Sequence, residues 1–366
     1  MTTSIMIPPS RRKRVAKLAA RLELPALLVV HPADVRYLCG FTGSNAALLL
    51  HGSRATLFTD GRYTTQAQQE VDGAKVVIAE GSVALAACAA AVAAGVLRCG
   101  FDTEHTTVHA LAAMQQALPA KLRKRWFTPA NGLIAGLREV KDEVEIEAMR
   151  AAASLGCKLF DQVLEHIVAG APEMEVALAL EYMARLAGAE RMSFETIVAS
   201  GKRSALPHGR ATEQKLPKRG FVTLDFGVVL GGYCSDMTRT VHMGKARPEE
   251  HAVYEAVLAA QEAGLAAVRE GVSGGQVDEA ARSVLRAAAL DVYFTHSTGH
   301  GVGLEIHEGP RLGKKQAATL KAGMVVTIEP GVYLPERFGV RIEDTVLVTK
   351  TGCEILTPST KAWIEL

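Results

Sequence analysis

Short apolar runs separated by stretches of helical periodicity fill the first third of this chain. A charged helix from about Ser10 leads to a β run at residues 26–30, and further runs follow at 46–50, 55–58, 75–79 and 98–101. Helical stretches sit between several of them, notably 63–71 and 83–95. This alternation predicts an α/β domain whose sheet is covered by helices. No G-x-G-x-x-G follows a strand, so nothing supports a dinucleotide role. Around residues 129–137 the pattern changes to a connection interrupted by Pro and Gly, which places a domain boundary near residue 136. A long helical segment, 141 to about 168, opens the second domain with charges at helical spacing. A second helix (172–186), strands at 196–200 and 221–226 and a Gly231-Gly232 hairpin follow. Two more helices, about 248–269 and 276–290, precede a strand-rich final third. Residues 137–366 therefore read as an α+β domain, helices covering one face of a curved, mostly antiparallel sheet, behind an α/β domain at 1–136.

Composition narrows the class. At 366 residues the chain is long for one core and comfortable for two. With 48% hydrophobic and 22% charged residues it is globular rather than disordered, and a net charge of +2 creates no general pull toward nucleic acid or membrane. The basic run Arg11-Arg12-Lys13-Arg14 reads as the solvated start of a helix. Six scattered cysteines include no C-x-x-C pair, which argues against a zinc knuckle and suits a reducing cytoplasm. The N-terminus lacks a secretory pattern, and the most apolar stretch, 83–97, is shorter than the roughly 20 residues of a membrane span.

The chemistry lies in the second domain. Asp225 in LDFG, Asp236 in CSDMTRT, Glu329 in TIEPG and Glu343 in VRIEDT put carboxylates where strand-like runs call for core residues. An isolated carboxylate is expensive to bury, so such positions mean partners or metal. Asp225 and Asp236 flank one turn, and Glu329 and Glu343 flank another around residues 335–339. Two hairpins each supply two carboxylates facing one side, and the loop HSTGHGVGLEIHE supplies His300. Oxygen-rich ligation with a single His suits Mn²⁺, Co²⁺ or Fe²⁺ better than a structural zinc. Five ligands suit two ions about 3.5–4 Å apart sharing carboxylate bridges. His208 in Leu-Pro-His-Gly, His296 and His307 crowd the same region and are candidates for substrate contact and charge stabilisation, whereas His242 and His251 read as structural. Arg341, two before Glu343, is placed to hydrogen-bond a ligand carboxylate, and Arg311 to grip a substrate carboxylate in bidentate fashion.

Several segments resemble the pita-bread metallopeptidases, specifically the branch of prolidases and aminopeptidase P that cleaves Xaa-Pro bonds. They are FETIVASGKRSALPHGRAT, VTLDFGVVLGGYCSDMTRT, HSTGHGVGLEIHEGPRL, VVTIEPGVYLP and GVRIEDTVLV, with VRYLCGFTGSNA and FTDGRYTTQA in the first domain. The resemblance implies a creatinase/prolidase-like α/β N-terminal domain and an α+β pita-bread catalytic domain. It implies two divalent ions, Mn²⁺ foremost, with Co²⁺, Fe²⁺ or Zn²⁺ as alternatives. Asp225 would hold one ion, Asp236 and Glu343 both, and His300 and Glu329 the other. Glu329 would also handle the proton of the attacking water, while His208 and His307 bind and polarise the substrate. A homodimer is implied too. The compact length and HEGPR resemble archaeal and bacterial prolidases, whose matching Arg recognises a dipeptide's carboxylate, and Phe194 stands where aminopeptidases P tend to carry Tyr. A Xaa-Pro dipeptidase is therefore the expectation, with an aminopeptidase P on longer peptides as the alternative. A catalytically silent peptide-binding module is the reading from another class, and five desolvated ligands argue against it.

Overall fold

A computed structural model of the chain describes residues 8–366 and divides into two compact units, one ending at Arg138 and one running Glu139–Leu366. The N-terminal stretch that lacks a secretory pattern begins with seven residues that lie outside the described ones. Among the described residues no helix is long and apolar enough to cross a membrane.

The first unit is built on one six-stranded sheet in the order β4-β3-β2-β1-β5-β6. Its strands are β1 (Ala26–Val29), β2 (Ala46–His51), β3 (Arg54–Thr59), β4 (Lys75–Ile78), β5 (Cys99–Phe101) and β6 (Phe127–Pro129). Pairing is antiparallel for β1–β2–β3 and parallel elsewhere. Helices α1 (Pro9–Arg21), α2 (Pro32–Cys39), α3 (Thr64–Glu70), α4 (Val83–Ala93), α5 (Val108–Ala117) and α6 (Ala135–Arg138) complete the unit. Leu28, Leu49, Phe58, Ala87, Cys99 and Trp126 share its core. Two sequence readings change here. The edge strand β6, absent from the runs read in the sequence, ends where the connection begins, and α6 starts inside that connection. The basic run is not simply solvated either. Arg11 is buried 4.5 Å over the Tyr37 ring, and Arg12 donates to the Leu38 and Asp72 carbonyls, so these guanidiniums pin α1 to the unit.

In the second unit α7 (Glu143–Val163) starts at a capping box of Asp142 and Glu145, and α8 (Glu173–Leu186) follows. Their apolar faces, including Phe160, Val176 and Leu180, bury against Val222, Leu224 and Met237. Then come β7 (Arg191–Met192), β8 (Ile197–Ser200), β9 (Gly220–Phe226), β10 (Val228–Leu230), β11 (Tyr233–Cys234) and β12 (Met237–Met243). Helices α9 (Pro248–Ala267) and α10 (Gly274–Ala287) lead to β13 (Gly299–Gly301), β14 (Glu308–Leu312), β15 (Val325–Ile328), β16 (Gly331–Leu334), β17 (Phe338–Arg341), β18 (Asp344–Val348) and β19 (Cys353–Ile355).

Two antiparallel ribbons dominate this unit, and each changes sheet midway. In the first, β9 pairs with β12 and the same register continues into β10 and β11. Gly231 and Gly232, both at positive φ, close it in a two-residue turn. One step past Phe226↔Met237, or two back from Val229↔Cys234, the register sets Gly227 opposite Asp236. A side chain at Gly227 would collide with the Ser235 carbonyl, so glycine lets the strands close up at the bend. The second ribbon runs β15–β18 and then β16–β17. Its register, carried on from Ile328↔Asp344 or back from Gly331↔Arg341, sets Glu329 opposite Glu343. Both joints thus present carboxylates.

His300 does not come from a loop. It is the middle residue of the strand β13, between two glycines whose side chains would strike the carbonyls of Thr327 and Gly309. Close backbone approach explains a Gly-rich text that looks irregular.

Candidate metal centre

Four carboxylates and one imidazole converge at the two joints. Asp225 pairs across β9–β12 with Thr238, so Asp236, two positions before Thr238, shares its face. Oxygens of Asp236 and Glu343 and a ring nitrogen of His300 lie within 4.8 Å of one another. His300 Nε2 is 3.5 Å from Asp236 Oδ2 and 3.6 Å from Glu329 Oε1. Its Nδ1 lies 3.0 Å from the Gly301 carbonyl, which can only accept, so Nδ1 carries the proton. Nε2 therefore turns a lone pair toward the carboxylates, the arrangement by which a backbone acceptor orients a ligating imidazole.

The electrostatics of the cluster are those of a cation site. Burial, then the charges of Glu343, Asp225 and Glu329, hold Asp236 well above the usual carboxylate range. Burial and Glu343 do the same to Glu329. Burial and Asp225 push Glu343 up to about 8. Burial pushes His300 down to about 4, which keeps it neutral. Carboxylates crowded until they resist ionisation, beside an imidazole lone pair, gain most from divalent cations. The donors present fit such ions: hard oxygens, one nitrogen, and enough of them for two.

Hydrogen bonds fix the donors in place. Thr238 Oγ1 donates to Glu343 Oε2 at 2.7 Å and accepts from Arg341 Nε at 3.1 Å. The Arg341 guanidinium also donates to Asp225 Oδ2, to the Pro207 carbonyl at 3.1 Å and to the Tyr333 hydroxyl at 2.6 Å. Tyr333 is thereby left to donate to His296 Nε2 at 2.8 Å, since His296 Nδ1 donates to the Ser297 carbonyl at 2.8 Å. His296 Nδ1 is also 3.9 Å from Glu329 Oε2. Burial pushes His296 down to about 4 and Tyr333 up to about 12, so both are neutral near pH 7.

His307 is exposed, its ring centroid 4.4 Å from that of His300. Arg311 is exposed and pairs directly with His300 across β13–β14. His208 is exposed and is an electrostatic neighbour of both His296 and His307. All ten sequence candidates thus fall in one neighbourhood. His242 and His251 lie elsewhere, stacked on Trp363 with centroids 5.3 and 4.7 Å away. Thr238 and Tyr333 were not singled out from the sequence. An alternating strand pattern reads both as ordinary strand residues, and only the text GVYLP beside a ligand glutamate hinted at Tyr333.

Comparison with known proteins identifies the family of the chain. Residues 147–350 match the model of metallopeptidase family M24, and residues 11–140 match the creatinase/prolidase N-terminal domain. The chain is 41% identical over 245 residues to the Xaa-Pro dipeptidase of Pyrococcus furiosus, covering 67% of this chain and 70% of that protein. It is similar to the structure of an Xaa-Pro dipeptidase from Bacillus anthracis, with a TM-score of 0.93 and 37% identity over 98% of this chain and 99% of that one. It is also similar to an X-Pro aminopeptidase from Thermotoga maritima MSB8, with a TM-score of 0.88 and 35% identity over 95% and 100% of the two chains. With more than half its length matched by the catalytic model and the remainder largely by the N-terminal one, the chain belongs to metallopeptidase family M24, a creatinase/prolidase N-terminal domain preceding a pita-bread catalytic domain.

Proposed function

We propose that this chain is an Xaa-Pro dipeptidase whose ions are held by Asp225, Asp236, His300, Glu329 and Glu343. As a member of family M24 it is a metallopeptidase, and that family depends on a dinuclear metal centre. The observation that carries the residue assignment is the His300 lone pair aimed into mutually repelling carboxylates. In this reading Asp225 would hold one ion, His300 and Glu329 the other, and Asp236 and Glu343 would serve both. Mn²⁺ is the first choice, on the oxygen-rich donor set.

When bound, the ions supply Lewis-acid polarisation and water acidified to around neutrality. The chain's own residues do the rest. Glu329 takes the proton of the attacking water and delivers it to the proline nitrogen as the C–N bond breaks. His208 and His307 donate to the substrate at the open side of the site, and His296 lines it beside Glu329. Arg311 pairs with the dipeptide's free carboxylate through two parallel N–H···O bonds. Arg341 holds Asp225 and, through Thr238, Glu343.

The six free cysteines support a reducing cytoplasm, and a homodimer is the working assembly. A second reading, an Xaa-Pro aminopeptidase, is favoured by the likeness to the Thermotoga maritima protein. A Mn²⁺-supplemented panel of Xaa-Pro dipeptides against Xaa-Pro-Yaa tripeptides separates the two. Higher kcat/KM on dipeptides supports the dipeptidase. Preference for tripeptides overturns it in favour of the aminopeptidase.

A further inference from the structure

We infer that Asp278 and Arg282 on α10 are a positioning pair that sets His296 against Glu329, an inference that rests on the peptidase reading. Both side chains are buried, one helical turn apart. Arg282 Nε and Nη2 donate in parallel to the two carboxylate oxygens of Asp278, at 3.0 and 2.9 Å. The bonding capacity left on each is spent on one short stretch of backbone. Arg282 Nη1 donates to the Phe294 carbonyl at 2.9 Å, and Nη2 to the His296 carbonyl at 3.0 Å. Asp278 Oδ1 accepts from Thr298 Oγ1 at 2.8 Å and from the Thr298 amide at 3.3 Å. The guanidinium also lies 4.1 Å from the centroid of the Phe294 ring.

Residues 294–298 lie just before β13 and belong to no strand, so no ladder holds them. The pair takes their backbone groups at 294, 296 and 298, the alternate spacing at which a neighbouring strand would take them. His296 is the middle residue of the three. The last, Thr298, accepts from the Glu329 amide at 2.8 Å through its carbonyl. The same five residues therefore carry the imidazole and brace the backbone of the acid–base glutamate, and His296 Nδ1 stands 3.9 Å from Glu329 Oε2. Stability alone does not account for the pair. A buried ion pair gains little over apolar side chains of similar volume, because desolvation offsets the attraction. Ala281 and Leu285 on the same helix pack with Phe294 in an apolar core that would accept such a replacement. What apolar side chains cannot supply is four directed bonds to the backbone on either side of His296.

The test is a double-mutant cycle on the Mn²⁺-loaded full chain: wild type, Arg282→Lys, His296→Ala and the two together. Lysine keeps a charge beside Asp278 but lacks the planar fork, so the Phe294 and His296 carbonyls lose their donors. The ions should stay bound, and kcat on an Xaa-Pro peptide should fall about tenfold while KM changes less. In the His296→Ala background the same change should cost less than about twofold, because no imidazole is left to place. Equal falls in both backgrounds would make the pair a support of the fold alone and overturn the inference. A second readout needs no turnover. The His296 Nδ1 proton, held against the Ser297 carbonyl, should exchange with water faster in Arg282→Lys, as followed by NMR of the Zn²⁺-loaded chain. A wild type inactive on every Xaa-Pro peptide would sink the peptidase reading, and this proton would then decide the positioning by itself. Unchanged exchange overturns it. If Arg282→Lys does not fold, Asp278→Asn/Arg282→Met enters the same cycle, since it removes both charges and leaves neither buried alone.

Discussion

Glu343 and Asp344 are neighbours in sequence, both buried, and the fold treats them in opposite ways. Asp344 accepts from Arg239 Nη2 at 2.8 Å, Lys361 Nζ at 2.6 Å, Gln261 Nε2 at 2.9 Å and Thr357 Oγ1 at 3.1 Å. Its charge is neutralised by the protein itself. Glu343, on the opposite face, accepts from the Thr238 hydroxyl and confronts Asp225, Asp236 and Glu329. Glu173, with Arg203, Ser200 and Thr212 around it, belongs with Asp344. Burial alone therefore does not mark a functional carboxylate. What marks one is burial among other carboxylates, where the compensating cation has to come from outside the chain.

The hardest test of that contrast is to remove each neighbour in turn. Glu343→Gln should abolish peptidase activity and lower the metal content. Asp236→Ala should behave alike, because each is assigned to both ions. Neither should weaken the metal-free fold, since each relieves repulsion. Asp344→Ala should do the reverse, leaving Arg239 and Lys361 facing an emptied site and costing about 3–5 kcal/mol of stability. Elemental analysis, kcat/KM and urea unfolding on the same samples decide it. Two ions and normal turnover in Glu343→Gln would sink the ligand assignment.

Metal removal sharpens the same contrast through pH. Glu343 moves from an ordinary 4.5 to about 8 in the folded, metal-free protein. Between those values the folded state binds a proton that the unfolded chain has released, so stability falls as pH rises. The contribution is fully present below about 4.5 and lost as pH passes 8. Raised values at Asp236 and Glu329 act in the same direction. Bound cations favour the ionised forms and oppose the loss. The gap in unfolding free energy between metal-loaded and chelated protein should therefore widen from pH 5 to pH 8. Parallel stability curves would contradict the cluster electrostatics.

The sequence carried much of this centre and little of its support. Asp225, Asp236, Glu329 and Glu343 stood out because a carboxylate interrupts an apolar strand, and the turns between them implied paired ribbons. What was hidden is set by contacts between strands. Thr238 and Tyr333 meet Arg341 from 103 and 8 residues away. Strand periodicity records which face a residue occupies, not what it meets there. The bend that puts Asp225 and Asp236 at the first joint depends on Gly227, whose role appears only once the Ser235 carbonyl is seen beside it. Likewise Arg11 looked like a solvated charge, because nothing local announces the Tyr37 ring that covers it.

At the open side of the centre the expected effects are smaller and bear on substrate choice. Arg311→Ala removes a charge-assisted bidentate contact worth roughly 1.5–3 kcal/mol, so dipeptide kcat/KM should fall by about one to two orders of magnitude. A tripeptide places an amide at that position and should lose much less. The dipeptide-to-tripeptide ratio should collapse, and an equal fall on both substrates would show that Arg311 does not read the carboxylate.

The smallest effect should come from Tyr333→Phe, which separates holding the metal donors from orienting the rim. The phenol accepts from Arg341 and donates to His296, linking the cation that holds Asp225 to the imidazole beside Glu329. Phenylalanine keeps the buried ring and its packing. Arg341 keeps its bonds to Asp225, Pro207 and Thr238, so the donors should stay in place and the metal content should not change. His296 loses its partner at Nε2 but keeps Ser297 at Nδ1, which lets the ring swing about one contact. Losing one such hydrogen bond costs about 1 kcal/mol of positioning, or roughly a fivefold fall in kcat. If metal content falls instead, Tyr333 acts through Arg341 on Asp225 and belongs to the ion-holding side of the contrast.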